Sequence, residues 1–152
     1  MTDILPAFLK RELRTKFIGK SILYYAVTSS TMDMAKQAIR DGAAEGTIVI
    51  ADHQTAGRGR LGRKWLSPPD SSILLSIILH PNLEQLPRLT MVAALAVAQS
   101  IEKLTGLEPA IKWPNDVLID GKKVSGVLIE SDVQGDTVNY AIVGIALNVN
   151  LD

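Results

Sequence analysis

The sequence predicts an α+β fold in which a mixed β-sheet is flanked by helices. Short apolar runs rich in β-branched residues indicate strands, and three longer segments have the pattern of helices. Some neighbouring strands are separated only by a tight turn, whereas others have a helix between them. This combination favours a mixed sheet, and we expect its helices on one face.

Three helices are predicted along the chain. The first covers residues 5–16. The second follows the hydroxyl-rich residues 28–31, which can cap its first turn, and runs to about Arg40. The third, residues 89–104, is rich in alanine, and Gly106 stands just past its end, where glycine commonly terminates a helix.

Seven strands are predicted between and after these helices. The run at 72–79 is almost entirely apolar, which is typical of a central strand covered on both faces. Asp120 and Gly121 form the turn of a hairpin, and a second turn at 134–136 leads into the last strand. The predicted strands cover residues 21–27, 46–51, 72–79, 110–113, 117–119, 123–130 and 137–149.

Composition limits the classes of function. The 152 residues include no cysteine, which excludes disulfides and thiolate catalysis, and only two histidines, which argues against a multi-histidine metal site. No apolar run is long enough to span a bilayer, and the N-terminus lacks the apolar core of a signal peptide. We therefore expect a cytoplasmic protein whose single domain covers residues 1–152.

The net charge is +0, but the charges are divided unevenly along the chain. Residues 1–64 carry 11 basic and 6 acidic side chains, whereas residues 65–152 carry 5 basic and 10 acidic ones. A protein that coats a polyanion such as nucleic acid normally carries a net positive charge, so a net charge of zero argues against that function. Much of the basic excess lies in residues 57–65, here called the glycine–arginine loop, within a polar stretch predicted to be a loop from 53 to 67.

The glycine–arginine loop is the most informative segment for function. Its cations Arg58, Arg60, Arg63 and Lys64 repel one another, so their density indicates an anionic ligand. Arginine suits bidentate binding of phosphate or carboxylate, and the interleaved glycines allow the backbone to approach a ligand closely. Trp65, at the end of the loop, either stacks on a base or anchors the loop in the core.

Three known loop types share part of this pattern. A dinucleotide-binding turn must open directly into a helix, and residues 65–69 are unsuited to that role. A P-loop requires Lys followed by Ser or Thr, but Arg63 and Lys64 stand there instead. An RGG-type nucleic-acid loop and a merely solvated charged loop remain as alternatives.

Residues 112–116 form a second polar cluster, in which Pro114 interrupts a strand. Lys112 could contact a phosphate, and Asp116 could hold Mg²⁺ through oxygen. Asn115 has both a donor and an acceptor for a ligand. The alternative is an ordinary turn, since Asn and Asp commonly bond to their own backbone.

Two further groups of polar residues lie on predicted strands. Strict alternation places Lys123 and Ser125 on one face and Gly126 on the other. Lys123 is either part of a site or a solvated lysine of the hairpin. Asn148 and Asn150 share a face at the end of the last strand, where they are either ligand donors or polar caps toward solvent.

Taken together, four segments resemble the catalytic domain of biotin protein ligases, and the resemblance covers about residues 15–152. The segments are 57–65, 112–116, 123–130 and 144–150. The resemblance implies the fold that biotin synthetases share with class II aminoacyl-tRNA synthetases. It also implies a reaction in which biotin and ATP give biotinyl-5′-AMP and pyrophosphate, after which the biotinyl group passes to a lysine of a biotin carboxyl carrier protein.

The resemblance also implies roles for the polar side chains. Hydroxyl and amide groups suit the neutral ureido ring of biotin, and fixed cations suit the joining of a carboxylate to a phosphate. The residues expected to bind substrate are Ser30, Thr31, Gln54, Arg58, Gly59, Arg60, Lys123 and Gly126. Those expected to bind ATP are Arg63, Trp65, Asn115 and Asn148, with Asp116 as the ligand of Mg²⁺. The expected catalytic residues are Arg60, Lys112 and Lys123.

The sequence departs from the family pattern at three places. Met32 stands where the family has asparagine, which removes one expected polar contact. The residues before position 15 leave no room for the winged helix-turn-helix of the repressor members, so no DNA partner is expected. Family members continue beyond the last predicted strand, so the domain is expected to be short at its C-terminus.

Two other functions fit the same residues. One is a lipoate-type ligase of the same fold, and the other is a truncated domain that binds biotin or biotinyl-AMP without transferring it. The carrier protein is expected to dock at an exposed sheet edge near the loop. A homodimer could form through an edge strand, for which the last strand is the candidate.

Overall fold

The structure is a computed structural model that describes residues 4–151. Its seven strands form one sheet in the order β1-β2-β3-β7-β6-β5-β4. β1 and β2 are parallel, and all other neighbours are antiparallel, which confirms the predicted mixed sheet. The strands are β1 (Ile22–Thr28), β2 (Ile48–Gln54), β3 (Ser72–Leu79), β4 (Ala110–Lys112), β5 (Asp116–Ile119), β6 (Lys122–Gln134) and β7 (Thr137–Asn148).

Each of the seven predicted strands is present, and the differences lie at strand ends. β2 continues to Gln54 rather than ending at Ala51, because its last residues pair with the end of β1. β6 runs to Gln134 because it pairs with β7 along that length. Backbone pairing therefore extends both strands into segments whose polar side chains suggested a loop or gave no strand signal.

The helices are α1 (Ile4–Glu12), α2 (Thr31–Arg40) and α3 (Leu89–Thr105), and α1 ends before the predicted residue 16. Ser30 caps α2, since its Oγ accepts a hydrogen bond of 3.1 Å from the backbone N–H of Met32. Gly106 ends α3 in the left-handed conformation, with φ of 73°. Within residues 4–151, each helix is too short or too polar to cross a membrane.

α2 and α3 lie on opposite faces of the sheet, so the expectation of helices on one face is wrong. Successive residues of a strand point to opposite faces, and Ile142 of β7 packs in the core beneath α2 whereas Val143 packs in the core beneath α3. α2 is the crossover between the parallel strands β1 and β2 and packs on β2, β3 and β7, whereas α3 packs on β4, β5, β6 and β7 from the other side. Each face of the sheet therefore has its own helix and core.

β7 lies in the middle of the sheet, between β3 and β6, and pairs along both of its sides. The suggestion that the last strand offers an edge for a homodimer is therefore wrong. The edges of the sheet are β1 and β4. The apolar character of β7 reflects its central place, where both of its faces are covered.

Candidate active site

A cavity of about 50 Å³ opens on the α2 face of the sheet, where the N-terminus of α2 meets the glycine–arginine loop. It is smaller than the roughly 300 Å³ at which ligand pockets usually begin, so side chains around it must move to admit a ligand. The cavity brings together ten residues predicted from the sequence: Ser30, Thr31, Gln54, Arg58, Gly59, Arg60, Trp65, Asn115, Lys123 and Gly126.

One side of the cavity, here called the neutral wall, consists of Ser30, Thr31 and Gln54. Gln54 Oε1 accepts hydrogen bonds from the backbone N–H of Thr31 at 2.7 Å and from its Oγ1 at 3.1 Å. Behind them, Ser76 Oγ lies 2.8 Å from Thr31 Oγ1. Ser30 and Thr31 are only 2% and 3% exposed. The wall offers hydroxyl and amide groups to a polar ligand without carrying charge.

Two glycines of the cavity floor allow other side chains to pack directly against the backbone. A Cβ at Gly144 of β7 would lie 2.7 Å from Met32 Sδ, and one at Gly126 of β6 would lie 3.1 Å from Trp65 Cζ3. Met32 is buried in the core beneath α2 and also lines the cavity. The cavity is therefore lined by a thioether at the position where the resemblance suggested an asparagine.

The glycine–arginine loop folds back on itself. The N–H of Gly59 donates to the carbonyl of Arg63 at 2.7 Å, and the N–H of Trp65 donates to the carbonyl of Gly57 at 2.9 Å. A Cβ at Gly57 would lie 2.7 Å from the carbonyl oxygen of Trp65, so only glycine allows this close return of the chain. Leu61 at the tip is 87% exposed. Backbone hydrogen bonds therefore hold the two ends of the loop together, while its tip extends into solvent.

The two polar clusters predicted from the sequence meet at this cavity. Arg60 Nη1 donates to Asn115 Oδ1 at 2.9 Å, and Asn115 Nδ2 donates to the backbone carbonyl of Val127 at 3.2 Å. Asn115 is thus oriented by the main chain of β6 and in turn holds the guanidinium of Arg60. The contact links the exposed loop to a buried residue of the sheet.

Lys123 lies on the side of Gly126, so the expectation that it shares a face with Ser125 is wrong. A β-bulge is the cause: consecutive residues of β5 pair with Ser125 and Lys123, which leaves Val124 as an extra residue of β6. A Cβ at Gly126 would lie 3.3 Å from Lys123 Cε. The bulge therefore turns the lysine toward the cavity, and we call Arg60 and Lys123 the cationic wall.

Lys123 contacts a carboxylate and an aromatic ring. Its Nζ lies 2.9 Å from Asp116 Oδ1 and 5.3 Å from the centroid of the Trp65 ring. The contact with Asp116 is an ion pair that lacks hydrogen-bond geometry, since this buried oxygen accepts no hydrogen bond from the described residues. Trp65 packs against Lys123 and beside Gly126 and so anchors the end of the loop at the cavity.

Asp116 does not form a metal site by itself. Across residues 4–151, no group of three or more His, Asp or Glu side chains is close enough together to hold a metal ion. Its carboxylate instead faces the Lys123 ammonium. Mg²⁺ commonly binds through one or two carboxylates plus substrate phosphates and water, so a magnesium ion here would need those further ligands.

Arg58 is held by two carboxylates. Its Nη1 donates to Asp33 Oδ1 at 2.8 Å, and its Nη2 donates to Glu130 Oε1 at 3.2 Å. Lys36 of α2 forms an ion pair with the other oxygen of Glu130. We call Asp33, Lys36, Arg58 and Glu130 the Arg58 clamp. In the part of the chain that the structure describes, no other cation of the loop forms an ion pair.

The ion pairs of the clamp shift two pKa values. Partial burial acts to lower the pKa of Arg58, but the hydrogen bond to Asp33 and the charge of Glu130 outweigh it, so this pKa is raised. Partial burial acts to raise the pKa of Glu130, but the hydrogen bond from Lys36 and the charge of Arg58 outweigh it, so this pKa falls below its ordinary 4.5. Both groups are therefore charged at neutral pH.

Two of the expected cationic ligands do not line the cavity. Arg63 lines a larger hollow of about 770 Å³, formed by the loop and the segment after it. Lys112 is exposed and pairs with Asp116 across β4 and β5, so the two residues share a face of the sheet. Lys112 thus lies on the cavity side of the sheet without contributing to the cavity surface.

The asparagines at the end of β7 lie beyond the cavity lining. Asn148 Oδ1 accepts a hydrogen bond of 3.0 Å from Ser72 Oγ. β7 ends at this residue, and the Nδ2 of Asn150 donates to the carbonyl of Asp70 at 3.2 Å. The expectation that the two asparagines continue one face is wrong, because the strand ends between them.

The residues that were not predicted as site residues include Gly144 of the cavity lining and three hydrogen-bonding partners of lining residues: Asp33, Ser76 and Glu130. Asp33 has a local structural explanation, since an acidic side chain in the first turn favours a helix. Glu130 did carry a signal, because it lies four residues after Gly126 on the same strand and alternation places both on one face. Ser76 and Gly144 appear in the sequence only as small residues of apolar strands.

Residues 24–148 match the biotin/lipoate A/B protein ligase family. The chain belongs to this family. The bifunctional ligase/repressor BirA of Bacillus subtilis is 46% identical over 140 residues, which cover 91% of this chain and 43% of that protein. The chain therefore spans less than half the length of this family member.

Solved structures of family members support the fold. Biotin protein ligase from Leishmania major, in complex with biotinyl-5-AMP, has a TM-score of 0.75 at 31% identity and covers 87% of this chain and 58% of that chain. The Aquifex aeolicus ligase, in complex with biotin and ATP, has a TM-score of 0.70 at 40% identity, over 87% of this chain and 53% of that chain. The expected fold of biotin synthetases is confirmed.

Proposed function

We propose that this chain is a catalytic domain that activates biotin with ATP and transfers the biotinyl group to a lysine of a carrier protein. One observation carries the proposal: the neutral wall and the cationic wall line the same cavity. Biotin has a neutral ureido ring at one end and a carboxylate at the other, so it needs both kinds of wall. Complexes of family members with biotin, ATP and biotinyl-5-AMP support this substrate set.

Each part of the cavity has a role in this proposal. The neutral wall would bind the ureido ring, whose donors and acceptors match Ser30, Thr31 and Gln54. The apolar part of biotin would lie over the floor at Gly126 and Gly144, and the Met32 and Trp65 side chains that pack there would shift to admit it. Gly59, which has no side chain, would let the backbone of the loop approach the carboxylate closely.

The cationic wall would promote formation of the adenylate. A carboxylate oxygen of biotin attacks the α-phosphorus of ATP, and the bond from that phosphorus to the bridging oxygen breaks, so pyrophosphate leaves with the bonding electrons. Two anions approach each other in this step. Arg60 and Lys123 would lower the barrier because they are held in place before the charges meet.

Transfer to the carrier protein needs no nucleophile from this chain. The amine of the acceptor lysine attacks the carbonyl carbon of biotinyl-AMP, the bond to the phosphate oxygen breaks, and AMP leaves. The lysine loses a proton as the amide forms. The role of the loop in this step would be to cover the mixed anhydride and exclude water.

ATP and Mg²⁺ have further proposed ligands. Arg63 would bind ATP phosphates from the hollow beside the loop, and Lys112 would approach them along the face that it shares with Asp116. Trp65, Asn115 and Asn148 are proposed to contact ATP. Mg²⁺ at Asp116 stays a prediction that depends on ligands supplied by the phosphates.

The partner and location are also proposals. The acceptor would be a biotin carboxyl carrier protein docked at a sheet edge near the loop, in the cytoplasm. If a homodimer forms through strand pairing, its edge would be β1 or β4, because these are the outer strands of the sheet.

Calorimetric titration with biotin, with and without ATP, tests the proposal together with an assay of pyrophosphate release. We expect biotin to bind, ATP to strengthen the binding, and pyrophosphate to appear only when both are present. Absence of biotin binding would overturn the proposal, and stronger binding of lipoate than of biotin would favour a lipoate-type ligase. Biotin binding without pyrophosphate release would identify a binding domain instead.

A further inference from the structure

The Arg58 clamp joins three separate parts of the chain. Asp33 and Lys36 belong to α2, Glu130 belongs to β6, and Arg58 is near the start of the glycine–arginine loop. α2 and β6 are regular elements packed in the core, whereas the loop projects from the sheet. The clamp is therefore a connection between the rigid scaffold and the loop that lines the cavity.

Every carboxylate oxygen in the clamp has its own partner. Asp33 Oδ1 accepts from Arg58, and Asp33 Oδ2 accepts from Ser29 Oγ at 3.0 Å. Glu130 Oε1 accepts from Arg58, and its second oxygen pairs with Lys36. This arrangement fixes both carboxylates independently of Arg58, so their positions can define where the guanidinium lies.

Arg58 and Arg60 differ in how far neighbouring carboxylates balance their charges. The clamp contains two cations and two anions, so the charge of Arg58 is already balanced by its neighbours. Arg60 has only the neutral Asn115 amide as a hydrogen-bonding partner among the described side chains. A substrate anion would therefore be attracted more strongly by Arg60 than by Arg58, although both line the cavity.

We propose that Asp33 and Glu130 are positioning residues, which hold the first half of the glycine–arginine loop over the cavity by gripping Arg58. Arg58 serves mainly to fasten the loop, and the anionic groups of the substrates are bound by the cationic wall. The proposal rests on the proposed function in one respect only, namely that the molecule retained beneath the loop is biotinyl-AMP.

Limited trypsin digestion tests the clamp without any substrate. Trypsin must accept the Arg58 side chain to cut after it, so the clamp protects this bond, whereas the exposed Arg63 provides an internal reference in the same loop. We expect Glu130→Gln to raise cleavage after Arg58 relative to cleavage after Arg63 by about fivefold, because one ion pair of the clamp is lost. Asp33→Asn should act in the same direction.

Asp132→Asn is the matched control for digestion. Asp132 lies two residues further along β6, and its carboxylate accepts from Asn139 Nδ2 at 2.7 Å, outside the clamp. This variant should leave the cleavage ratio unchanged. An unchanged ratio in Glu130→Gln, or an equal rise in Asp132→Asn, would overturn the proposal.

Release of labelled biotinyl-AMP provides the second readout. We expect Glu130→Gln and Arg58→Gln each to speed release of the adenylate by about fivefold, and the double variant to be no faster than either single one. For Glu130→Gln, adenylate formation at saturating biotin and ATP should change less than about twofold. If Arg58 instead binds the substrate anion, Glu130→Gln frees a cation and slows release, while Arg58→Gln lowers the rate of formation, and that result would overturn the proposal.

The digestion assay and the adenylate assay together distinguish failure of the clamp proposal from failure of the proposed function. If the unaltered protein makes no biotinyl-AMP, the proposed function fails, yet the digestion ratio still supports or overturns the clamp. If adenylate forms and the digestion ratio does not respond to Glu130→Gln, the clamp is wrong while the function stands.

Discussion

The two walls of the cavity are built in different ways. Ser30 and Thr31 of the neutral wall are buried, and Gln54 and Ser76 form hydrogen bonds with Thr31 where α2, β2 and β3 meet. The cationic wall stands on the exposed loop and beside a hairpin turn, where the side chain of Lys123 is 42% exposed. One wall is part of the core, and the other is attached to it by a few polar contacts.

Because the two walls are built differently, we expect one to contribute mainly to folding stability and the other mainly to the reaction. Hydrogen bonds among buried groups contribute to folding, because a partner left unpaired in the core is costly. Exposed cations contribute little to folding, but they can meet developing negative charge in a transition state. We therefore expect changes in the neutral wall to lower both stability and biotin affinity, and changes in the cationic wall to lower activity alone.

The largest expected effect is that of Lys123→Ala on adenylate formation. Loss of a cation held at the reacting phosphate should reduce the rate of pyrophosphate release by about 100-fold or more. Lys122→Ala removes a neighbouring exposed lysine at the start of β6 and is the control. Equal losses in the two variants would contradict the assignment of Lys123 to the cationic wall.

Thr31→Val tests the neutral wall. It removes a hydroxyl that bonds Gln54 and faces Ser76, and should lower the free energy of unfolding by about 1–2 kcal/mol. Thermal unfolding should show a Tm lower by roughly 3–6 °C, with weaker biotin binding in calorimetry. Thr137→Val, at an exposed position of β7, should change neither. A stable Thr31→Val protein would show that this wall is not part of the core.

Arg60→Ala tests the opposite wall. The guanidinium makes a single hydrogen bond to Asn115, so the free energy of unfolding should change by less than about 0.5 kcal/mol. Retention of biotinyl-AMP should fall by about tenfold, measured as release of the labelled adenylate. Arg88→Ala, at an exposed position outside the site, should retain the adenylate normally. A large drop in Tm for Arg60→Ala would indicate a structural role instead.

The smallest expected effect concerns the pH dependence of stability that the Arg58 clamp produces. The pKa of Glu130 is lower in the folded protein than its ordinary 4.5, so its ion pairs stabilise the fold above that pH. This contribution is lost as the pH falls below 4.5 and through the lowered pKa. Glu130→Gln should therefore be less stable than the parent by at most about 1 kcal/mol at pH 7.

Urea unfolding of both proteins across the acid range measures this difference. The two stability curves should converge as the pH falls below 4.5 and through the lowered pKa of Glu130, because the parent protein then loses the charge of this carboxylate. A gap that persists at low pH would show that the glutamine itself strains the structure.

Much of the fold followed from local sequence patterns. The apolar run of β3 matched its predicted bounds, and the Ser30 cap and Gly106 marked helix ends because these residues bond or bend the backbone locally. The side of the sheet that each helix covers was not predictable in this way. It depends on how the parallel pair β1–β2 and the antiparallel remainder join in one sheet.

In the candidate site, too, some features could be predicted from local sequence and others depended on tertiary structure. The sequence drew attention to Arg60, Asn115 and Lys123 because charged and polar residues cluster around glycine and proline. Strict alternation nevertheless placed Lys123 with Ser125, since a bulge depends on the register between two strands and not on the residues of one. Asp33 and Glu130 were overlooked for a related reason, because their common partner Arg58 is distant from both in sequence.

The sequence by itself determined the set of strands and helices and the family resemblance. It also determined which cationic and neutral polar side chains are present for the site. These properties follow from side-chain chemistry and from backbone preferences over a few residues. Only the tertiary structure decided that Arg60 meets Asn115, that Lys123 turns toward Gly126, and that Arg58 is held by two carboxylates. Such contacts arise from strand register and helix packing, which bring together groups that no local pattern connects.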